Sequence, residues 1–334
     1  MISLSQYKNI LPFYSFQLTS LILVTAVIFF LIVSNHNAKK TRSIFKGNLR
    51  DSAENLSYST LNKIESILKA VEKVPQQIAY SLEGSSYTKE DLLLLIRQIV
   101  ENNSEIYGST IAFEPYMFDP DSFFFAPYFY KQKDKIKFTY IGSESYKYFS
   151  WDWYKIPKEN NKPMWSEPYF DEGAGNIIMS TYSVPFYQIL KGEIKLLGIV
   201  TADISLAWLQ KIVSSIKIAE TGFAFLILKK GNLITHPRQD LVMNHTIFSL
   251  ADKFNKPELH KLGKSMITGE TNFISKKHLF TGEDAWLFYA PLPSNGWSLG
   301  VTFPQKELLA GINKLEIELH IFAATGLALL LLAI

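Results

Sequence analysis

The chain has 334 residues, of which 47% are hydrophobic and 19% charged, and its formal net charge is +3. This composition fits one to three folded domains and excludes an intrinsically disordered chain. A net charge this small, from both signs mixed along the chain, is not typical of nucleic-acid binding. The chain contains no cysteine, which excludes disulfides, thiolate metal sites and a cysteine nucleophile.

An uncharged apolar segment lies near the N-terminus. No Asp, Glu, Lys or Arg occurs between Lys8 and Lys39, and about 20 apolar residues span a bilayer. A cleaved signal peptide would need a more basic start, a shorter apolar run and a small-residue cleavage site. We therefore predict a cytoplasmic N-terminus (residues 1–10) and an uncleaved transmembrane helix over residues 11–35.

The end of the chain is also apolar. Residues 321–334 read IFAATGLALLLLAI and carry no charge. At 1.5 Å per residue they cover only about 21 Å of a hydrocarbon core about 30 Å thick. The sequence predicts a helix over residues 304–334 that leads into a truncated second transmembrane helix; a buried C-terminal helix is the alternative.

The charges flanking the first apolar segment bear on its orientation. Lys8 lies on one side, and the other side carries Lys39, Lys40, Arg42, Lys46 and Arg50. Taken literally, the positive-inside rule places the following domain in the cytoplasm. The rule is weak for large translocated domains, however, and basic flanks also bind lipid headgroups.

After the first apolar segment we predict a long amphipathic helix over residues 36–84. Its apolar positions, Leu56 among them, recur at steps of three, four and five. Pro75 is expected to bend or break the helix because proline lacks an amide donor. Such a helix would form a stalk, and stalks commonly dimerise; packing against its own domain is the alternative.

A capped helix and a series of strands follow. Thr88 precedes two acidic residues and an apolar run, which indicates a helix N-terminus. From residue 107 to residue 206 the pattern is that of about five antiparallel strands, with a turn at Lys191–Gly192. The segment between Trp151 and Tyr169 is rich in Pro, Asn and Lys and is predicted to be irregular.

The same order then recurs. Residues 206–216 read as a connecting helix, a glycine hairpin follows, residues 250–266 are helical, and three strands end at Pro304. A helix with several antiparallel strands, used twice, predicts an α+β fold of tandem PAS-like modules on a long N-terminal helix. We place the modules at residues 85–205 and 206–303.

Aromatic residues are concentrated between Tyr107 and Tyr187, within the first module. Loops over a rigid sheet are where binding residues tend to lie, and aromatic faces with carboxylates suit an ammonium group. The rings are expected to line a pocket. The alternative is that they only fill space at the edge of the sheet. The candidate ligand-binding residues are Trp151, Trp153, Tyr154, Trp165, Tyr169, Asp171, Tyr182 and Asp203.

Asp203 stands in an otherwise apolar strand, LGIVTADISL. Burying a carboxylate is costly without a hydrogen-bonded or charged partner. Asp203 is therefore expected either to contact a ligand or to cap the helix that begins near Leu206.

Signals for catalysis and metal binding are weak. The sequence has no HExxH, GxSxG or P-loop motif, and its six histidines show no ligand spacing. We predict no cofactor, metal or catalytic residue in this chain. Two alternatives stay open: an envelope hydrolase that uses Glu167 and Asp171 as an acid/base pair, and a ligand-capture or adhesion ectodomain.

The phrase YKYFSWDWYKIPKENNKPMWSEPYFDEGAGN followed by GIVTADISL resembles the double-Cache extracytoplasmic sensors of bacterial transmembrane receptors. GFAFLILKKGNLITHP and WLFYAPLPSNGWSLGVTFP are typical of the second module of that family. The resemblance covers about residues 37–303. It is strongest to sensors that precede a HAMP linker and a SpoIIE-type serine phosphatase; others precede histidine kinases, chemotaxis signalling domains or cyclic-di-GMP enzymes.

The resemblance implies a receptor of the bacterial inner membrane whose residues 36–320 face outward. The stalk suggests a homodimer through the stalk and transmembrane helices, and the membrane segments imply contact with lipid. It implies a small-molecule ligand in the membrane-distal first module and a signal that passes through the second membrane helix to an output domain. The pocket residues of amino-acid-sensing members match Trp153-Tyr154, Tyr169 with Asp171, and Asp203.

One feature of those members is missing. Their arginine clamp for the ligand carboxylate falls at Trp151, and no arginine occurs between Arg97 and Arg238. A lysine does not replace a bidentate clamp. The expected ligand is therefore an amine or another cationic metabolite, such as a quaternary ammonium compound, rather than an α-amino acid.

Overall fold

A computed structural model describes residues 4–133, 135–190, 192–277 and 282–332. The elements occur in the predicted order, which confirms the α+β class with tandem modules after a long helix. Lys191 and His278, from a predicted turn and a predicted strand, lie outside the described residues.

The chain divides into two compact units. One comprises Met1–Asn55, Lys277–Ala285 and Pro304–Ile334; the other comprises Leu56–Lys276 and Trp286–Phe303, and so contains most of both modules. Among the residues whose side chains the structure describes, which leave out several in residues 11–23 and 312–332, no helix is long and apolar enough to cross a bilayer.

Helix α1 runs from Leu4 to Gly84 without interruption, so Pro75, which was expected to bend or break the helix, does not break it. Pro75 is buried, and the helix buries Val71 and Ala79 on either side of it. An interior proline costs about 3 kcal/mol, and packing of the buried face on both sides outweighs that cost.

The buried face of α1 also differs from the predicted stripe. Leu56 is 41% exposed, whereas its neighbour Ser57 and Thr60 are buried. Serine and threonine are small and can bond to carbonyls of the preceding helical turn, so they tolerate burial that a hydropathy pattern does not predict.

The first module begins with helix α2 (Lys89–Asn102). Its N-cap is Thr88, whose side chain accepts a hydrogen bond from the Asp91 amide while Asp91 bonds back to the Thr88 amide. This reciprocal capping box confirms the predicted start of the helix.

A seven-stranded antiparallel sheet in the order β3-β2-β1-β7-β6-β4 forms the rest of this module, and β5 also pairs with β6. Two of the strands are only two residues long, which is why the sequence pattern showed about five. The strands are β1 (Gly108–Phe113), β2 (Pro127–Gln132), β3 (Lys135–Tyr140), β4 (Met164–Trp165), β5 (Tyr169–Phe170), β6 (Ile178–Leu190) and β7 (Glu193–Ser205).

Strands β6 and β7 form a long hairpin whose turn contains Gly192, with φ of +85°. Their central residues are buried on both faces. One face contacts α1: Trp165 Nε1 donates to Glu72 Oε1 at 2.9 Å, and Gln76 Nε2 donates to the Tyr182 hydroxyl at 2.7 Å. The other face contains the cavity described below.

The segment between β3 and β4 is not irregular. It contains helix α3 (Asp152–Asn160), which buries Trp153, Tyr154 and Pro157 and ends at Asn161 in the left-handed conformation. These three buried residues lie on one face of the helix, so packing against the sheet outweighs the helix-breaking composition.

The second module begins with the connecting helix α4 (Leu206–Ser214) and contains a five-stranded sheet in the order β10-β11-β12-β8-β9. The predicted single helix at residues 250–266 is two helices, separated by a left-handed Asn255. The remaining elements are β8 (Phe223–Ile227), β9 (Leu233–Thr235), α5 (Ile247–Lys253), α6 (Pro257–Ile267), β10 (Asn272–Lys277), β11 (Asp284–Pro291), β12 (Ser298–Pro304) and the terminal helix α7 (Gln305–Leu332).

Gly198 in β7 provides a test of the strand packing. A Cβ atom there would overlap the Ala112 carbonyl oxygen and lie 2.8 Å from Phe113 Cα. Because backbone cannot move aside as a flexible side chain can, Gly198→Ala is expected to lower the free energy of unfolding by about 1–3 kcal/mol or more.

Thermal unfolding of the purified chain measures this loss. The matched control is Gly84→Ala, where a Cβ meets nothing within 4 Å and the change should stay within about 0.5 kcal/mol. Equal melting temperatures for the two variants would contradict the close approach of β7 to β1.

Candidate functional site

A small cavity lies on the sheet face opposite α1, with an empty volume of about 230 Å³. Its lining combines aromatic rings, threonine hydroxyls and two carboxylates. The residues are Thr110, Tyr128, Ile141, Tyr146, Trp153, Tyr169, Asp171, Met179, Thr181, Thr201 and Asp203. We call this space the inner cavity.

Asp203 is a buried charged group of the inner cavity, with 2% of its surface exposed. Its Oδ2 accepts a hydrogen bond from the Tyr128 hydroxyl at 2.9 Å. Its Oδ1 is buried and has no hydrogen-bond partner of normal geometry among the described residues, although the Thr181 hydroxyl lies near the carboxylate. Since a buried polar atom without a partner costs free energy, this oxygen lacks a donor that a ligand can supply.

Gly108 explains how the Tyr128 hydroxyl reaches Asp203. Gly108 lies directly opposite Asp203 across the β1–β7 pair. A Cβ atom at position 108 would overlap the hydroxyl and ring of Tyr128. The missing side chain therefore leaves the space through which the tyrosine extends to the carboxylate.

Burial raises the pKa of the Asp203 carboxyl to about 7, an effect that the Thr181 and Tyr128 hydroxyls partly offset and the charge of Asp171 increases. Burial also raises the pKa of the Tyr128 and Tyr169 hydroxyls well above their usual value. The tyrosines thus stay protonated donors, while Asp203 changes charge near neutral pH.

The second carboxylate, Asp171, closes the loop between β5 and β6. Its Oδ2 accepts from the Gly175 amide at 2.8 Å and its Oδ1 more weakly from the Gly173 amide at 3.4 Å. A Cβ atom at either glycine would overlap a tyrosine ring, Tyr107 at Gly175 and Tyr146 at Gly173. The glycines therefore allow these rings to pack directly against the loop.

Aromatic rings form the wall beside this loop. Tyr146 stacks on Trp151 with ring centroids 5.0 Å apart, and Trp151 lies 5.8 Å from Tyr169. The Tyr169 hydroxyl is hydrogen-bonded to Thr181 Oγ1 at 2.8 Å, which fixes the ring over the sheet.

Trp153 is almost fully buried, and its indole Nε1 has no hydrogen-bond partner of normal geometry among the described residues. Burial and the charge of Asp171 raise the pKa of the Tyr146 hydroxyl, and the nearby Trp153 indole partly offsets this rise. The indole N–H is thus close to a hydroxyl but does not form a well-aligned bond with it.

A wider depression adjoins the inner cavity and shares Trp153 and Tyr169 with it. It has an empty volume of about 700 Å³, part of it open to solvent, and is also lined by Trp151 and Glu167. We call it the outer depression. The two spaces therefore meet at Trp153 and Tyr169.

The structure brings together half of the residues selected from the sequence. Trp153, Tyr169, Asp171 and Asp203 line the inner cavity, and Trp151 lies in the outer depression.

Three selected residues lie outside the inner cavity. The Tyr154 hydroxyl donates to Glu114 Oε1 at 2.8 Å. Trp165 and Tyr182 contact α1 through Glu72 and Gln76. Successive residues of a strand point to opposite faces, so Tyr182 lies on the helix side because its neighbour Thr181 lies on the cavity side.

The alternative role for Asp203, as the cap of α4, is wrong. The N-cap is Ser205, whose Oγ accepts from the Trp208 amide at 3.1 Å. Asp203 is therefore free of any capping role in this helix.

Several cavity residues were missed by the sequence analysis. Alternation along a strand could have identified Thr201, which lies two residues from Asp203, and the pairing of β6 with β7 places Thr181 opposite Asp203. No local pattern indicates Tyr128 or Tyr146, because each reaches the cavity from a distant part of the chain.

Two family models match the chain. The first is described as the methyl-accepting chemotaxis protein-like, first PDC sensor domain and matches residues 92–211. The second is the Cache 3/Cache 2 fusion domain and matches residues 184–318.

Curated relatives include chemotaxis receptors. The methyl-accepting chemotaxis protein McpC of Bacillus subtilis is 26% identical over 182 residues, which is 52% of this chain and 24% of that protein. McpG of Pseudomonas putida is 28% identical over 155 residues, 45% of this chain and 21% of that protein. The chain thus spans about a quarter of the length of these relatives.

Solved structures share the fold over most of the chain. The extracellular domain of mmHK1S-Z3, described as a histidine kinase, is 26% identical with a TM-score of 0.67, covering 80% of this chain and 98% of that one. The ligand-binding domain of the Pseudomonas aeruginosa chemoreceptor PctB in complex with L-Gln is 18% identical with a TM-score of 0.54, covering 80% and 98%.

The family matches run from residue 92 to residue 318 with an overlap at the module junction, and the fold is that of extracellular sensor domains. The chain therefore carries a PDC sensor domain followed by a Cache 3/Cache 2 fusion domain.

Proposed function

We propose that the inner cavity binds a small cationic amine and that this binding is the input of a membrane receptor. The observation that carries the proposal is the Asp203 carboxylate, buried among aromatic rings with one oxygen unpartnered. An ammonium group supplies both the missing donor and the compensating charge. The surrounding rings add cation–π attraction.

The charge of the described lining supports the same ligand class. It contains two carboxylates, Asp171 and Asp203, and no lysine, arginine or histidine. The empty volume of about 230 Å³ includes space that is open to solvent, so the enclosed part of the cavity is smaller still. A cation with few heavy atoms is therefore the best match.

Ligands of the structural relatives are consistent with an amine. PctB has been solved with L-Gln and with L-Arg, and PctC with GABA. All three compounds carry an amino group. They also carry a carboxylate, for which the described cavity lining of this chain offers no cation, so a simple amine suits it better than an amino acid.

Two routes connect the inner cavity with the rest of the sensor. The first runs through α4, whose N-cap Ser205 lies two residues after Asp203. In α4, Gln210 Nε2 donates to the His236 carbonyl at 2.9 Å, and Gln210 Oε1 accepts from the His236 amide at 3.0 Å. On the other sheet face, Trp165 and Tyr182 hold α1. In our proposal the ligand biases two arrangements of these contacts, and a tenfold bias requires about 1.4 kcal/mol of differential affinity.

Membrane attachment and output are part of the same proposal. The uncharged segment of α1 exposes large apolar side chains, for example Leu18 at 61% and Phe29 at 69%, and such exposure favours a lipid environment. We propose that α1 and α7 cross the inner membrane, that the modules face outward as a homodimer, and that a HAMP linker with a SpoIIE-type phosphatase, or a kinase or chemotaxis domain, receives the signal.

The ligand class is tested by calorimetric titration of the purified 334-residue chain. n-Propylamine is expected to bind, whereas propionate is not, because two carboxylates repel an anion. Asp203→Asn keeps the shape of the side chain and should weaken amine binding at least tenfold, since it removes the charge.

Asp121→Asn is the matched control, because it makes the same change on an exposed turn of the same module. It should leave the affinity unchanged. Binding of propionate but not of the amine, or equal amine affinity in the Asp203→Asn variant, would refute the proposal.

The affinity for an amine is also expected to depend on pH. Because the Asp203 pKa is about 7, the carboxylate that binds the cation is replaced by a neutral acid at lower pH. The affinity of n-propylamine, which stays protonated in this range, should fall about tenfold from pH 8 to pH 6. Titrations at both pH values measure the change, and the Asp203→Asn variant should show none.

The same pKa has an opposite consequence for the empty protein. Its folded value lies above the usual value of 3.8, so the folded state binds the proton more tightly than the unfolded state. The contribution of Asp203 to stability is therefore present below about pH 4 and is lost as the pH rises to about 7. A melting temperature whose pH slope is identical in Asp203→Asn would contradict the buried state of this carboxyl.

Orientation is tested by cysteine labelling, which the absence of native cysteines allows. Lys195→Cys, on the exposed end of β7, should react with a membrane-impermeant maleimide on intact cells. Lys8→Cys should react only after lysis. The reverse pattern would place the modules in the cytoplasm, in line with the positive-inside count.

A further inference from the structure

We infer that the ligand of the inner cavity carries, besides its ammonium group, a neutral hydrogen-bond acceptor, as an amino alcohol or amino amide does. The inference rests on the proposed amine binding and specifies it. Four buried side-chain atoms of the described residues lack a hydrogen-bond partner. Two of them, Asp203 Oδ1 and Trp153 Nε1, belong to residues that line the inner cavity.

These two atoms have opposite requirements. A carboxylate oxygen accepts hydrogen bonds, whereas the indole N–H can only donate one. A simple alkylamine satisfies Asp203 and leaves the indole N–H buried without a well-aligned partner. A ligand that also presents an oxygen satisfies both, and leaving a buried donor unpaired costs more than an ordinary hydrogen bond contributes.

The acceptor must be neutral. Asp171 and Asp203 are the charged residues of the described lining, and both are acidic. A ligand carboxylate would lie near these two charges with the Trp153 N–H as its donor and no cation to compensate it, which makes its desolvation unfavourable. A hydroxyl or amide oxygen accepts from the same N–H without this cost.

The position of Trp153 suits a residue that discriminates between ligands. It lines both the inner cavity and the outer depression, so its indole lies where the two spaces meet. The ring itself is held by packing against Tyr154, with centroids 5.7 Å apart, which keeps the N–H in place when the ligand changes.

The experiment compares three small compounds on the purified 334-residue chain by calorimetric titration: ethanolamine, n-propylamine and glycine. Ethanolamine and n-propylamine have the same number of heavy atoms and differ in a hydroxyl against a methyl group. We expect ethanolamine to bind about tenfold more tightly than n-propylamine and glycine to bind more weakly than ethanolamine.

Trp153→Phe removes the N–H and keeps an aromatic ring. It should abolish the tenfold preference for ethanolamine over n-propylamine, whatever the remaining affinity for the two amines. Trp165→Phe is the matched control, because that indole donates to Glu72 on the opposite sheet face. It should preserve the tenfold preference.

Equal affinities for ethanolamine and n-propylamine in the native chain would overturn the inference but leave the proposed amine binding intact. Persistence of the preference for ethanolamine in Trp153→Phe would also overturn the inference and leave the proposed amine binding intact. Failure of both amines to bind would refute the proposed function itself. If Trp153→Phe does not fold, the indole ¹⁵N–¹H spectrum of the native chain decides: one tryptophan N–H should shift with ethanolamine and stay unshifted with n-propylamine, and the absence of such a signal overturns the inference.

Discussion

The buried carboxylate of Asp203 is the constraint on which the first module depends. A carboxylate at 2% exposure with a single hydrogen bond of normal geometry, from Tyr128, is costly in a folded protein. Asp203 lies in the central part of the sheet, in β7, which is paired with β1 and β6. A site that is incompletely satisfied when empty is primed to gain free energy from a ligand that completes it.

The surrounding residues determine the environment of the Asp203 carboxylate. Gly108 leaves room for the Tyr128 hydroxyl, Thr181 faces it across the β6–β7 pair, and the loop closed by Asp171 brings a second negative charge near it. Strand β6, which carries Thr181 on one face, contacts α1 on the other through Tyr182, and the neighbouring β4 contacts α1 through Trp165. A shift of strand position on ligand binding is therefore felt by both the cavity and the helix, because a β-strand links its two faces rigidly.

Much of the fold was predictable from local patterns. The capping box at Thr88, the glycine turn of the β6–β7 hairpin and the repeated order of helix and strands follow from short-range chemistry and hydrophobic periodicity. The errors share one cause. The uninterrupted α1 at Pro75 and the helix α3 in a segment rich in helix breakers both depend on packing against the sheet, which a local pattern does not contain.

By itself the sequence determined the class of the fold, the order of its elements and the concentration of rings and acids in the first module, since these are properties of neighbouring residues. It also indicated four residues that meet in the inner cavity, through a family resemblance. Only the tertiary structure decided which face of the sheet each candidate residue occupies. In the structure Tyr154, Trp165 and Tyr182 lie outside the inner cavity, whereas Tyr128 and Tyr146 line it. The physical reason is that strand register and the pairing of distant segments fix the side of the sheet on which a residue lies, and a one-residue shift reverses it.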